Sequence, residues 1–360
     1  MARRPYTVVF VVPTGVGAAI GGYAGDALPV ARALSRVADC LITHPNVLNG
    51  AQLYWPLPGT LYVEGYGLDR FAAGEWGLRP VRQNRVGLVL DRGIEPELRL
   101  RHLQAADAVR ATLGLDLTDY VVTDAALEVS LKTSASGASW GTIQRTDSLL
   151  RAVEQSIDRA RANAIAVVTR FPDDLDSGTL AQYRHGQGVD LLAGAEAVIS
   201  HLVVRTFQLP CAHAPALLPL PPDPHLSPRS AAEELGYTFL PSVVVGLSYA
   251  PQFIVDIANN QFPVRHPSDL WADCVDAIIV PETACGGSAI LSLSQASAEI
   301  ITVRENRTQL QVSPEKLGLE TFQVNSYLEA LGVLVARKAG ISPTALRPEL
   351  FPLQNSTHNP

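Results

Sequence analysis

Two glycine-rich turns, one lone lysine and a few acids and histidines carry most of the chemistry this chain has to offer. In the first turn Thr14, Gly15, Gly17, Gly21 and Gly22 stand between an apolar run and a helical pattern. Such a turn aims backbone N–H groups and a helix dipole at an anion. It lacks the Gly-Lys-Ser/Thr ending of a P-loop. As a dinucleotide fingerprint it also fails, because Gly21 comes one residue too far after Gly17 and the next strand ends in His44 rather than an acid. Asp26 reads as the cap of the following helix. The second turn runs Glu282-Thr283-Ala284-Cys285-Gly286-Gly287-Ser288. There Gly286, Gly287 and Ser288 offer a carboxylate or phosphate cradle. A Cys285 thiolate stabilised by a helix N-terminus would be a nucleophile, whereas a small buried cysteine at a tight turn would do nothing chemical.

A third stretch sets Lys132 beside Ser134, Ser136 and Gly137, with Trp140 following. A lysine among hydroxyls could ground a phosphate or, if desolvated, act as base or imine former; a surface loop with a solvated lysine is the plain alternative. Trp140 favours a lid or ligand wall. His44 precedes Pro45-Asn46, His213 lies in Cys-Ala-His-Ala-Pro, and His201 sits on a mostly apolar helix, where a core role suits it. None has metal-ligand spacing. His44 and His213 with nearby acids form the alternative metal set, but no metal site is expected and no cofactor can be named.

What positions these residues is an alternation of strands and helices. Strands are expected near 6–12, 39–43, 60–64, 86–90, 119–123, 163–169, 241–247, 275–281 and 299–303, and helices over 26–37, 97–113, 146–161, 190–206, 286–297 and 324–339. Runs such as Thr7-Val8-Val9-Phe10 are apolar throughout, which suits strands covered on both faces of a parallel sheet. The alternation predicts an α/β fold with doubly wound, mostly parallel, Rossmann-like sheets, in two lobes around a cleft. Leu209 to Pro228 is too proline-rich for a helix or central strand. It therefore divides the chain into a lobe at 1–208, a crossover or linker at 209–228, a lobe at 229–345 and a polar tail at 346–360.

Polar residues gather where the strands should end: His44 and Asn46, Asp124, Arg170 with Asp173 and Asp174, and Glu282. Ligands of open α/β sheets bind at the carboxyl ends of the strands, so a polar site is expected along that edge.

The chain has 360 residues, 47% of them hydrophobic and 18% charged, with a formal charge of −7. That balance supports a large core and argues against a nucleic-acid partner. Four scattered cysteines form no disulfide or zinc pattern. No apolar run is long enough to span a membrane. A cytoplasmic protein with no membrane partner is the expectation, homo-oligomer formation being left open, and the sequons at Asn306 and Asn355 are chance matches.

Pro13-Thr14-Gly15-Val16-Gly17, Ile42-Thr43-His44-Pro45-Asn46-Val47, Cys211-Ala212-His213-Ala214-Pro215 and Thr283-Ala284-Cys285-Gly286-Gly287 together resemble a family of uncharacterised proteins from cyanobacteria and plant plastids, a domain of unknown function. The resemblance reaches about residue 340. It implies a cytosolic or plastid-type setting and no activity. The functional expectation comes from the residues themselves: an enzyme (isomerase, lyase or transferase) acting on a small phosphorylated or carboxylated metabolite. The two glycine turns hold the anion, with Thr14, Asn46, Ser134, Ser136, Arg170, His213 and Ser288 assisting. His44, Asp124 and Glu282 transfer protons, and Cys285 or Lys132 is the nucleophile. The alternative is a non-catalytic metabolite- or nucleotide-binding regulatory protein using the same pocket.

Overall fold

In a computed structural model the protein is described over residues 4–49, 57–173, 177–236, 239–255 and 266–353. Asp174, Asn355 and the end of the expected tail lie outside these residues. Two parallel sheets carry the architecture. The first is built from β1 (Thr7–Phe10), β2 (Cys40–Thr43) and β3 (Thr60–Tyr62) and from three strands near the other end of the chain. Before those come β4 (Trp76–Arg79), β5 (Val86–Leu90), β6 (Val121–Val122), β7 (Val129–Thr133), β8 (Ser139–Ile143), β9 (Ala164–Arg170), β10 (Cys211–Ala216) and β11 (Gln252–Val255). The last three are β12 (Val275–Pro281), β13 (Glu299–Val303) and β14 (Phe322–Val324).

Sheet one has the order β14-β13-β12-β1-β2-β3 and sheet two the order β10-β9-β5-β6, and their pairs are parallel. Their strands are apolar on both faces because helices cover both: β1 and β5 are buried at every position. Each fully buried Val, Ile or Leu contributes roughly 1.5–3 kcal/mol. Strand order reverses twice, between β1 and β12 in sheet one and between β5 and β9 in sheet two. The chain therefore has two topological switch points, each a place where loops diverge and leave a crevice.

The doubly wound α/β expectation is met, while the lobe boundaries need correction. Sheet one joins residues 7–62 to residues 275–324, and sheet two occupies 86–216, so 209–228 does not separate the sheets. Within it Cys211–Ala216 forms β10, and Pro215 is accommodated because β10 is an edge strand whose ladder is shared with β9 alone. The strand expected at 241–247 is instead part of the helix Leu240–Ser248, buried on all sides. An all-apolar segment has no periodicity to tell helix from strand. Gly246 lets this helix approach sheet one, since a Cβ there would stand 2.5 Å from the Tyr62 ring. One continuous core therefore runs from Phe10 and Leu41 through Val243 and Val244 to Val168 and Ala214.

Candidate functional site

At the switch point of sheet one the glycine turns are filled by the protein's own groups. In the first turn Gly15, Gly17, Gly21 and Gly25 have positive φ. Several of its donors already have acceptors: the Gly21 N–H donates to Asp26 Oδ1 at 2.6 Å, and the Ala24 N–H donates to the Glu233 carboxylate. Asp26 thus braces the turn and does not cap the helix Leu28–Val37. Asn46 holds the same turn, its Nδ2 donating to Gly21 O at 2.7 Å and its carbonyl accepting from Gly25 at 2.7 Å. Ala19 and Ile20 pair with Arg307 and Asn306, so a segment of the carboxyl-terminal half lies over the turn. Thr14 and Gly22 belong to this turn and line neither of the two cavities described below.

The second turn repeats the pattern. The Ala289 N–H, at the start of the short helix Ser288–Ser294, donates to Asp69 Oδ1 at 2.9 Å. An internal carboxylate therefore occupies the end that Gly286, Gly287 and Ser288 were expected to offer to a ligand. Cys285 is fully buried, its Sγ 3.4 Å from Glu282 O, and burial together with Glu282 and Glu315 pushes the thiol up to about 12. A thiol so placed stays protonated at neutral pH and is a poor nucleophile. Glu282 pairs with Arg304 at 3.2 Å.

The other expected residues are dispersed. His44 is buried and accepts the Val12 N–H through Nε2 at 3.1 Å; burial brings its pKa down to about 4, so the ring is neutral. It completes the hydrogen bonding at the end of β1. Asp124 is exposed at the edge of sheet two and bound by Arg151 and Ser148, which hold its carboxyl well below the usual range. Lys132 and Trp140 face each other across the hairpin β7–β8, the ammonium 4.6 Å from the ring centroid. Ser134 and Ser136 bond to one another at 2.8 Å in its turn. His44, Asp124 and Glu282 thus serve three different local structures, and none reaches the large cavity described next.

That cavity, about 960 Å³, lies beyond the carboxyl ends of β5, β9 and β10, under a roof formed by residues 180–192, 217–236 and Phe239. His213 on β10 points into it with its side chain 11% exposed. Its Nε2 stands 2.9 Å from Glu196 Oε1 without forming a well-directed hydrogen bond, and its Nδ1 lies 3.4 Å from Ser200 Oγ. Glu196 and Ser200 are one turn apart on the helix Ala193–Phe207, so both present to the same ring. At the head of that helix Asp190 accepts the Leu192 N–H at 2.8 Å. Across the cavity, Glu233 accepts from the Tyr183 hydroxyl as well as from Ala24.

Three carboxylates therefore share one enclosed space. Asp190 and Glu233 keep some surface open to the cavity while protein surrounds them. Burial, reinforced by Glu196, raises Asp190 to about 7. Burial and then the Asp190 charge raise Glu233 well above the ordinary range. Burial does the same to the Tyr183 phenol, with Asp190 and Glu233 adding to it. Nearby arginines do not offset this charge, since Arg184 is tied to Glu234 and Arg101 to Glu97. The remaining wall is largely leucine and proline.

Arg170 ends β9 in a neighbouring hollow of about 330 Å³ and is clamped between Glu95 and Asp173. Asp91, beneath it, accepts the N–H groups of Gly93, Leu127 and Arg170 and so braces the switch point of sheet two. Among the described residues no group of three or more His, Cys, Asp and Glu side chains is gathered to hold a metal ion. Of the polar residues expected from sequence, His213 and Asp173 line the large cavity. Asp190, Glu196, Glu233 and Tyr183 were missed. A readable sign was present for Glu196: an acid with Ser200 four residues on, in a mostly apolar helix.

A family model described as "Protein of unknown function (DUF3326)" matches residues 7–347. The chain is 58% identical over 348 residues to an uncharacterized lipoprotein of a Synechococcus species, a match covering 97% of this chain and 95% of that protein. The resemblance to an uncharacterised family with cyanobacterial members is borne out. No solved structure matches the chain at a significant level. The relative's lipoprotein name overturns the cytoplasmic setting expected from sequence. Among the described residues no helix is long and apolar enough to cross a membrane, but neither that nor unpaired cysteines distinguishes a cytoplasmic protein from one held at a membrane by other means.

Proposed function

The chain belongs to the DUF3326 family of proteins of unknown function, and we propose that it is an acid–base enzyme acting on a small molecule with a cationic or proton-donating group, bound in the cavity of sheet two. The observation that supports this reading is the convergence of Asp190, Glu196, Glu233 and His213 on one cavity whose nearby arginines are already paired. A group titrating near neutrality is suited to give and take protons at physiological pH, and Asp190, raised to about 7, meets that condition. In this scheme Asp190 exchanges the proton, Glu196 and His213 fix the polar end of the ligand, and Tyr183 with Glu233 closes the far wall.

The anionic metabolite expected from the sequence fits this cavity poorly. The nearby arginines that a phosphate would need, Arg184 and Arg101, are already paired, and the glycine turns expected to bind one hold Glu233, Asp26 and Asp69 instead. Thermal-shift measurements at pH 6.5 with panels of small amines, carboxylates and phosphates test the choice. Amines with an apolar substituent are expected to raise Tm, and Asp190→Asn to abolish the shift. Stabilisation by phosphates, unaltered in that variant, would restore the anionic reading.

A further inference from the structure

The cavity is larger than its polar groups require, and the surplus is lined with leucine. Its volume, about 960 Å³, is at the upper end of the roughly 300–1,000 Å³ of small-molecule sites. Glu196 and His213 lie on the sheet side and Asp190 and Glu233 on the two roof segments, while Leu217, Leu218 and Leu220 of the proline-rich stretch and Leu235 of the roof line the rest. Three of these are strongly exposed: Leu218 at 49%, Leu220 at 45% and Leu235 at 80%. Single exposed leucines are ordinary on a protein surface. Three that border one concave space shared with half-buried carboxyl groups give it an apolar side that stays exposed among the described residues.

Rigidity distinguishes this wall from a loose tether. Arg184 donates to Pro221 O at 2.7 Å, Ser227 N–H donates to Arg184 O at 2.8 Å, and Ser230 Oγ donates to Tyr183 O at 2.9 Å. Arg184 also pairs with Glu234, and His185 Nε2 lies 3.0 Å from Asp223 Oδ2. The two roof segments are therefore cross-linked by polar bonds, and Tyr183, Arg184, Ser230 and Glu234, which take part in them, line the cavity together with the leucines. Prolines 219, 221 and 222 fix the backbone that carries Leu218 and Leu220.

Resting on the function proposed above, we infer that the ligand is an amphiphile: a cationic or proton-donating head at Asp190 and Glu196, and an unbranched or isoprenoid-like apolar chain lying along Leu217, Leu218, Leu220 and Leu235. The head explains the gathering of Asp190, Glu196 and His213 on one cavity and the chain explains the leucines; a small polar metabolite would leave the latter in water.

The test is a series of n-alkylamines from butylamine to dodecylamine, each below its micellar concentration, titrated calorimetrically into the full chain at pH 6.5. Affinity is expected to rise about three- to four-fold per added methylene until the wall is covered. A Leu218→Ser/Leu220→Ser/Leu235→Ser variant, altered only at exposed positions, is expected to bind butylamine unchanged and to lose most of that chain-length dependence. Asp190→Asn is expected to weaken every amine by a common factor. If butylamine binds in an Asp190-dependent way but dodecylamine binds no tighter, the chain is refuted and the acid–base site stands. If dodecanol matches dodecylamine and Asp190→Asn changes neither, the chain survives and the proposed head site falls. Failure of both butylamine and dodecylamine to bind overturns both.

Discussion

Two switch points occur in one chain, and they have been put to different uses. At the first, between β1 and β12, glycine turns, a histidine and a cysteine converge, yet the polar groups found there pair with other protein groups. Asp26, Glu233 and Asp69 accept the turn N–H groups, His44 accepts that of Val12, and residues 306–309 lie over the crevice. Beyond the second, between β5 and β9, Asp190 and Glu196 border the cavity, and burial, reinforced by Glu196, raises the Asp190 pKa. A fold rule that locates sites at strand ends names candidate places; whether internal partners already occupy the donors decides between them.

The contrast can be broken by substitution. The largest effect is expected from Gly21→Ala: φ is +88° and the new Cβ would stand 2.6 Å from Val12 Cγ1, so strain and overlap add to roughly 3 kcal/mol or more. Chemical denaturation should show that loss, with ligand binding at the second switch point retained in the folded fraction. Specific loss of binding in a fully stable variant would return a ligand role to the first turn.

His44→Ala comes next. It removes the acceptor of a buried N–H and is expected to cost about 1–3 kcal/mol of stability. Because the ring is neutral above its pKa of about 4, no change in pH profile between 5 and 8 should accompany it. A stable variant with an altered activity profile in that range would show that His44 transfers protons after all.

The mildest test sharpens the second region. Asp190 has its pKa raised to about 7, against roughly 3.9 for a free aspartate, so the folded chain binds the proton more tightly than the unfolded one. Stability therefore falls as pH rises from about 4 to 7 and levels off above. Asp26, raised to about 6, and Glu233 act in the same direction. Tm measured from pH 8 down to pH 6 should climb, and Asp190→Asn should shallow the climb without removing it. An identical slope in the variant would mean that Asp190 is ionised throughout.

Much of the architecture was legible in the residues. The helices near 97–113 and 146–161 are found at Pro96–Leu113 and Thr146–Ala160, because a proline at the start marks the former and amphipathic spacing the latter. The helix Leu240–Ser248 was not, since burial on all sides leaves no periodicity. Lys132 and Trp140 lie on a hairpin whose serine- and glycine-rich turn resembles a loop in composition. The site was less legible still. Asp190, Glu196 and Glu233 gain significance only from sharing a cavity with His213, and nothing local in Ser-Ala-Ala-Glu-Glu marks Glu233 as facing inward.

Sheet one draws its middle pair from opposite ends of the chain, Thr7 lying beside Val275. During synthesis β1 leaves the ribosome long before β12 exists, whereas the strands of sheet two, complete by residue 216, have their partners early. The glycine turn that closes onto residues 306–309 must wait for almost the whole chain. Its apolar strand is exposed for that interval, a vulnerability inherent in long-range parallel pairing.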